Sequence, residues 1–146
     1  MTMLKTIPPI LSPELLKIIM EMGHGDEIVL ADGNFPAASV AQRLVRCDGH
    51  GVPEVLEAVL RLFPLDQYVQ QPVALMAVVP GDSTKPTIWK QYRTLIAASG
   101  EPFSDFDFVE RFAFYERARK AYAVVATSEG ALYANIILKK GVIKPA

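Results

Sequence analysis

The chain has 146 residues, of which 51% are hydrophobic and 21% are charged, and this composition predicts a single globular domain over residues 1–146. Fifteen basic and sixteen acidic residues give a net charge of −1, which argues against a nucleic-acid interface or a polybasic membrane anchor. The single cysteine, Cys47, excludes an intrachain disulfide, and two histidines are too few for a typical structural zinc site. No signal peptide and no apolar run of membrane-spanning length is apparent, so we expect a cytoplasmic protein.

Apolar patterns that end at glycine or proline predict alternating helices and strands. Ser12-Pro13-Glu14 is typical of a helix start, because serine can cap the first turn and proline suits the first helical position. Gly23 is typical of the end of that helix. Further helices are predicted from after Pro36 to Leu44, from Pro53 onward, and over residues 86–98 and 112–121. Strands are predicted over residues 27–31, 73–79, 122–127 and 132–138.

The alternation of strands and helices predicts an α/β fold with helices on both faces of the sheet, a three-layer α/β/α architecture. The last two predicted strands are joined by the turn Ser128-Glu129-Gly130, which is too short for a crossover helix. We therefore expect these two strands to run antiparallel within a mixed, mostly parallel sheet. Polar ligands of such sheets bind beyond the carboxyl ends of the strands, which directs attention to Asp32, directly after the first strand.

Several sequence signatures of enzymes are missing from the chain. It has no phosphate-binding Gly-x-x-x-x-Gly-Lys loop, no Gly-x-Gly-x-x-Gly dinucleotide motif and no Gly-x-Ser-x-Gly nucleophile turn. It also has no His-x-x-x-His or Cys-x-x-Cys pair. These absences argue against nucleotide, serine-hydrolase and zinc-hydrolase chemistry, and we expect a protein that works without a cofactor or a metal.

Two loop segments flank the first predicted strand and carry chemically useful side chains. His24 lies between Gly23 and Gly25, and an imidazole that titrates near neutral pH suits general acid–base catalysis. Asp32 and Asn34 follow the strand and can bind hydroxyl groups. The alternative interpretation is structural: Gly23 ends the helix, His24 is an incidental loop residue, and Asp-Gly-Asn is an ordinary turn.

The segment 111–118 (Arg-Phe-Ala-Phe-Tyr-Glu-Arg-Ala) carries a third group of candidates. Tyr115 can donate or accept a proton, although an unperturbed phenol with a pKa near 10 is a weak acid–base group. Arg111 or Arg117 can bind sugar hydroxyls. The alternative is a solvated helix in which Glu116 pairs with a basic residue one turn later.

Three further residues complete the candidate set. Tyr133 and Asn135 alternate along the last predicted strand, so they are expected on one face of it, where a ring and an amide form a plausible sugar platform. A half-buried edge strand explains the same pattern. Asp66 follows an apolar helix end, where a carboxylate either binds a hydroxyl or caps a turn.

Taken together and in order, these segments resemble the L-fucose mutarotases, a family related to the D-ribose pyranases. The resemblance spans the chain from Leu4 to Val142, and no one motif is specific by itself. It rests on Met22-Gly23-His24-Gly25-Asp26-Glu27, Ala31-Asp32-Gly33-Asn34-Phe35-Pro36, segment 111–118 and Leu132-Tyr133-Ala134-Asn135-Ile136. Asn34-Phe35-Pro36 and the Phe-Tyr-Glu-Arg segment place the resemblance with the fucose branch rather than with the ribose branch.

The resemblance implies a ribose pyranase-like fold and cofactor-free interconversion of sugar anomers. It implies that the histidine, His24, is a proton donor that lies next to Asp32, and that Tyr115 is the second catalytic group. It also implies homo-oligomers, often decamers, with sites near subunit contacts. The substrate-binding residues that it implies are Asp32, Asp66, Arg111, Tyr133 and Asn135.

Three functions are therefore carried forward from the sequence. The first is an isomerase that exchanges the α and β anomers of L-fucose or a closely related pyranose. The second is the same reaction on the pyranose and furanose forms of D-ribose. The third is a non-catalytic sugar-binding module for transport or regulation, which needs the same cleft but no acid–base pair.

Overall fold

A computed structural model describes residues 3–146, which form six strands and five helices. Their order is α1 (Pro13–Glu21), β1 (Glu27–Ala31), α2 (Ala37–Val40), β2 (Leu44–Cys47), α3 (Val52–Leu60), β3 (Val73–Met76), α4 (Ile88–Ser99), β4 (Asp107–Val109), α5 (Arg111–Lys120), β5 (Ala123–Thr127) and β6 (Ile136–Lys139). As predicted, Ser12 caps α1: its hydroxyl accepts a hydrogen bond from the backbone N–H of Leu15 at 3.2 Å. No helix in this described range is long and apolar enough to cross a membrane.

The strands form one sheet in the order β2-β5-β1-β6-β3-β4. Every neighbouring pair is parallel except the two that involve β6, which runs antiparallel to β1 and to β3. In the register, Val29 of β1 lies between Val124 of β5 and Ile137 of β6. The mixed, mostly parallel sheet predicted from the sequence is thereby confirmed.

The last two strands run in opposite directions, as predicted, but they are not neighbours, because β1 lies between them. Their connection, residues 128–135, therefore passes over the carboxyl end of β1. The predicted strand 132–138 is wrong in its first half, since β6 begins only at Ile136. Tyr133 has a φ of +57°, a left-handed conformation that cannot continue a strand. The connection thus brings Tyr133 and Asn135 to the end of the sheet where Asp32 lies.

The sequence patterns missed both edge strands. The helix after Pro36 ends at Val40 rather than at Leu44, and Leu44 is instead the first residue of β2. Only alternate residues of β2, Val45 and Cys47, are buried, so this strand has no continuous apolar run. The other edge strand, β4, has three residues and no fully buried side chain.

Helices cover both faces of the sheet, which confirms the three-layer architecture. The side chains of β1 alternate between the two faces: Ile28 and Leu30 pack with α1, α3 and α4, whereas Val29 and Ala31 pack with α2 and α5. The second layer is thinner, and its centre is the fully buried ring of Phe114 from α5. The position of α5 is therefore fixed by packing, and its amino-terminal end lies beside the end of β3 and the connection 128–135.

An ion-pair network ties α5 to the sheet. The Arg117 guanidinium binds the Glu27 carboxylate through two nitrogens, Nε at 3.0 Å and Nη2 at 2.6 Å, and donates from Nη1 to Asp107 Oδ2 at 3.1 Å. The Arg117 and Glu27 side chains are only 23% and 14% exposed. Arg117 is thus a structural residue rather than a sugar ligand. The pairing of Glu116 with Arg119 on the solvent face matches the alternative interpretation of this helix.

We expect Arg117→Met to lower the free energy of unfolding by about 2 kcal/mol or more, because it leaves the largely buried Glu27 carboxylate without its partner. The matched control is Arg119→Met on the same helix, whose exposed pair with Glu116 contributes less than about 0.5 kcal/mol. Urea unfolding of both variants at one protein concentration measures the difference. Equal, small effects of the two substitutions would contradict a structural role for Arg117.

Candidate active site

A cleft of about 250 Å³, on the scale of one monosaccharide, lies at the carboxyl ends of β1 and β3. Four segments meet there: the loop after β1, the loop after β3, the first turns of α5 and the connection 128–135. Its lining combines acidic, amide, phenol and guanidinium groups with a few apolar side chains. The lining residues are Asp32, Asn34, Phe35, Met76, Val79, Asp82, Arg111, Tyr115, Leu132, Tyr133 and Asn135.

Asp32 lies at the floor of this cleft and is held by backbone contacts. Its carboxylate Oδ1 accepts a hydrogen bond from the N–H of Asn34 at 3.0 Å, and its own N–H donates to Asn135 Oδ1 at 2.7 Å. Burial is the main cause that raises the pKa of the Asp32 carboxyl, against the backbone donors of Asn34 and Phe35, which lower it. With its oxygen engaged, the Asn135 amide retains its NH₂ group to donate to a ligand hydroxyl.

Arg111 and Tyr115 reach the cleft from one face of α5, because they are one helical turn apart. The Tyr115 ring packs against Phe35, with ring centroids 5.6 Å apart. Phe35 in turn contacts the buried Phe114 ring edge-on at 6.2 Å. Packing against Phe35, which is itself held by Phe114, thus fixes the direction in which the Tyr115 phenol enters the cleft.

Tyr133 enters the cleft from the connection 128–135 and is held at three points. Its hydroxyl donates to Asp82 Oδ2 at 2.6 Å and accepts the N–H of Val79 at 3.2 Å. Its backbone carbonyl accepts the indole N–H of Trp89 at 2.8 Å. These contacts hold the residue in the left-handed conformation that is unusual for tyrosine.

Asp82 is a cleft residue that the sequence patterns did not single out. It follows Pro80-Gly81 in the loop after β3, and Pro-Gly-Asp is an ordinary turn sequence. The available signal was the one that had pointed to Asp32, namely a carboxylate just beyond the carboxyl end of a buried strand. The same signal holds for the loop after β3.

His24 and Asp66 lie at the opposite end of the sheet. His24 precedes β1 and Asp32 follows it, so the five residues of that strand separate them by about 17 Å at 3.3 Å per residue. Within one chain the structure therefore does not place His24 next to Asp32. The five other predicted site residues, Asp32, Arg111, Tyr115, Tyr133 and Asn135, meet in the cleft.

His24 and Asp66 instead form a pair of their own. His24 Nε2 is 3.0 Å from Asp66 Oδ1, and the same oxygen accepts the N–H of Tyr68 at 3.0 Å. The His24 side chain is 45% exposed, whereas that of Asp66 is only 4% exposed. Burial acts to raise the pKa of the Asp66 carboxyl, but the hydrogen bonds from Tyr68 and His24 outweigh it and hold the pKa below its usual range. A buried carboxylate thus orients an accessible imidazole.

Comparison with known proteins assigns the family. The sequence pattern of the RbsD / FucU transport protein family matches residues 5–143. The chain belongs to this family. Its resemblance to the fucose mutarotases, drawn above from four segments, is thereby confirmed together with the fold class.

Within the RbsD / FucU family, the chain is 52% identical over 151 residues to the fucose mutarotase of Bos taurus, covering 99% of this chain and 97% of that protein. It is also 52% identical to the L-fucose mutarotase of Actinobacillus pleuropneumoniae, covering 96% of this chain and 97% of that protein. Among solved structures, the fucose mutarotase of Streptococcus pneumoniae in complex with L-fucose is 55% identical, has a TM-score of 0.90, and is matched over 97% of this chain and 100% of that one.

The ribose branch is more distant. Bacillus subtilis RbsD, solved with D-ribose, has a TM-score of 0.73 at 22% identity and covers 92% of this chain and 95% of that one. This likeness supports the common fold of the RbsD / FucU family and nothing finer. Among residues 3–146, no three His, Cys, Asp or Glu side chains gather in a way that could hold a metal ion.

Proposed function

We propose that this protein is an isomerase that interconverts the α and β anomers of L-fucose. The observation that carries the proposal is the agreement of cleft and relatives. The cleft has the size and polar lining for one monosaccharide. The similar Streptococcus pneumoniae protein, a fucose mutarotase, was solved with L-fucose. A cytoplasmic location belongs to the same proposal, on the grounds given from the sequence.

The reaction needs two groups that exchange protons with the sugar. Opening of the ring hemiacetal requires a proton delivered to the ring oxygen and another removed from the anomeric hydroxyl. Rotation about the C1–C2 bond and ring closure then give the other anomer. We assign these proton transfers to Tyr115 and His24, each expected to contribute about 100-fold or more.

The remaining cleft residues bind the sugar in this proposal. Asp32 accepts a hydrogen bond from a hydroxyl, while Arg111 and Asn135 donate to sugar oxygens. Tyr133 provides a further contact from the connection 128–135. All four line the same cleft as Tyr115, which supports their assignment to one ligand.

Asp66 has a different role from the direct sugar contact expected from the sequence. Its side chain is 4% exposed, and its Oδ1 atom is already hydrogen-bonded to both the His24 ring and the backbone N–H of Tyr68. We assign it to the orientation of His24: an imidazole whose Nε2 faces a carboxylate presents Nδ1 outward. A neutral ring can then exchange a proton through Nδ1 without losing its anchor.

The separation of His24 from the cleft supports a site shared between subunits. We propose that the His24 end of one subunit closes the cleft of the next in a homo-oligomer. Exposed apolar side chains lie at both ends of the molecule, Met20 and Tyr68 near His24 and Phe112 and Leu132 beside the cleft. A contact between two different ends is heterologous, and such contacts form a ring when their rotation closes, which is compatible with the decamer implied by the resemblance.

Saturation-transfer proton NMR of equilibrated L-fucose tests the proposed reaction. With catalytic amounts of the protein, we expect transfer between the α and β anomeric signals to be at least about 100-fold faster than in buffer. D-ribose is run alongside, and Tyr115→Phe serves as the inactive control. Exchange on ribose alone would assign the protein to the second candidate reaction. If the protein binds L-fucose but anomer exchange stays at the rate in buffer, the isomerase proposal is wrong and the protein is a sugar-binding module.

A further inference from the structure

Asp82 makes a contact in the cleft that the proposed reaction does not use. We infer that Asp82 is a positioning residue, which fixes the Tyr133 phenol so that its oxygen can only accept a hydrogen bond from the sugar. The inference rests on the proposed function, because it concerns the same cleft. It adds a residue outside the set expected from the sequence, and it defines Tyr133 as a hydrogen-bond acceptor towards the ligand.

The hydrogen bonds of the Tyr133 hydroxyl leave it only an acceptor role towards a ligand. A phenol has one O–H donor and two acceptor lone pairs. The donor is directed to Asp82 Oδ2 at 2.6 Å, and one lone pair accepts the N–H of Val79 at 3.2 Å. What remains for a ligand is one lone pair. A sugar hydroxyl that approaches Tyr133 must therefore donate.

Asp82 is itself oriented for this task. Its other oxygen, Oδ1, accepts the backbone N–H of Thr84 at 2.9 Å and the Thr84 hydroxyl at 2.6 Å. The two carboxylate oxygens thus have separate partners, and Oδ2 is turned to the phenol. The hydrogen bond to this carboxylate is also the main cause that raises the pKa of Tyr133 above the ordinary value of a phenol.

The same contact joins two segments that are far apart in sequence. Asp82 and Val79 belong to the loop after β3, whereas Tyr133 belongs to the connection 128–135. The Trp89 indole, at the start of α4, adds a bond to the Tyr133 carbonyl. Without Asp82 the backbone contacts remain, but the phenol is free to rotate its O–H towards solvent or sugar. The expected defect is therefore in ligand affinity and not in folding.

A double-mutant cycle on L-fucose affinity tests the inference. We expect Asp82→Ala and Tyr133→Phe each to raise the dissociation constant, measured by calorimetry, by about 10-fold. The double variant should bind L-fucose no more weakly than the single variant with the lower affinity, because Asp82 acts through Tyr133. Asp48→Ala, which removes another exposed carboxylate, outside the cleft, should leave the affinity unchanged. Additive losses in the double variant would refute the inference.

Two further measurements separate positioning from a structural effect. Asp82→Asn keeps an acceptor for the phenol, so it should restore affinity to within about 3-fold of wild type. It also removes the negative charge, and alkaline absorbance titration should then show one tyrosine that ionises at lower pH than in the wild type. That change must be absent when Tyr133 is already phenylalanine; if it persists there, Asp82 does not act on Tyr133.

A failure of the Asp82 inference can be distinguished from a failure of the proposed isomerase function. Affinity and tyrosine ionisation are measured without turnover, so they test Asp82 even if the wild type exchanges no anomers. In the exchange assay, Asp82→Ala should raise KM about 10-fold and change kcat less than about 2-fold, since no proton transfer is assigned to it. A loss confined to kcat would overturn the positioning role.

Discussion

Mixing the two inactive variants His24→Gln and Tyr115→Phe is expected to restore about a quarter of the wild-type rate of anomer exchange. Alone, each variant should lose at least about 100-fold in rate, because each lacks one of the two proton-transfer groups. In a mixed oligomer, a shared site is intact when the intact His24 and the intact Tyr115 meet. Each occurs with a probability of about one half, so about a quarter of the sites recover.

The experiment needs subunits that exchange freely, which joint unfolding and refolding or co-expression provides. The matched control is a mixture of His24→Gln with Asp66→Asn. Both defects lie at the same end of the subunit, where His24 and Asp66 are bonded at 3.0 Å, so no mixed site contains an intact pair. This mixture should show the mean rate of its two components, which is no higher than that of the more active one. Recovery there, or none in the first mixture, would contradict a site shared between two subunits.

Asp32→Asn is expected to make the folded protein more stable near neutral pH. Asp32 is 8% exposed, and burial raises the pKa of its carboxyl above the ordinary 3.8. The folded state thus holds the proton more tightly than the unfolded state does. Its stability is highest below pH 3.8 and falls as the pH rises through the raised value, so the ionised carboxylate is a cost at neutral pH.

Asp66→Asn provides the contrast, because the pKa of this equally buried carboxyl is lowered on folding. Ionised Asp66 stabilises the folded state above the ordinary carboxyl pKa, and that contribution disappears as the pH falls through the lowered value. In urea unfolding at pH 7.5, the free energy of unfolding of Asp32→Asn should therefore be higher than that of wild type, and that of Asp66→Asn should be lower. The Asp32→Asn difference should shrink as the pH falls towards 4, whereas the Asp66→Asn difference should persist at pH 4 and shrink only below the ordinary carboxyl pKa of 3.8. The same sign for both substitutions at pH 7.5 would contradict the assigned burial and hydrogen-bond effects.

The elements that the sequence predicted well are those buried on both faces or along a wide helical stripe. Strand β1 and helix α3 consist largely of apolar residues, and the structure places them as predicted. The edge strands β2 and β4 were missed because an edge strand is only partly buried and carries little of the apolar signal. Tyr133 was assigned to a strand because its left-handed backbone is imposed by contacts with Val79, Asp82 and Trp89, which are distant in sequence.

The candidate site was predicted in part for an equally physical reason. Side chains just beyond strand ends could be found, and Asp32, Asn135 and Tyr133 do meet there. Nearness along the chain was misleading for His24, because an extended strand separates its two flanking loops by its whole length. Asp66 could not be paired with His24 from the sequence, since 42 positions separate them and only the folded sheet brings their loops together.

The order of strands in the sheet has a consequence for biosynthesis. The two strands made last, β5 and β6, occupy interior positions: β5 joins β2 to β1, and β6 joins β1 to β3. A nascent chain that ends before β5 holds three pieces of sheet with unpaired edges and no closed core. Productive folding must therefore wait until nearly the whole chain has left the ribosome, and chaperones that shield strand edges should act late in synthesis. A chain truncated before β6 is expected to aggregate rather than persist as a smaller domain.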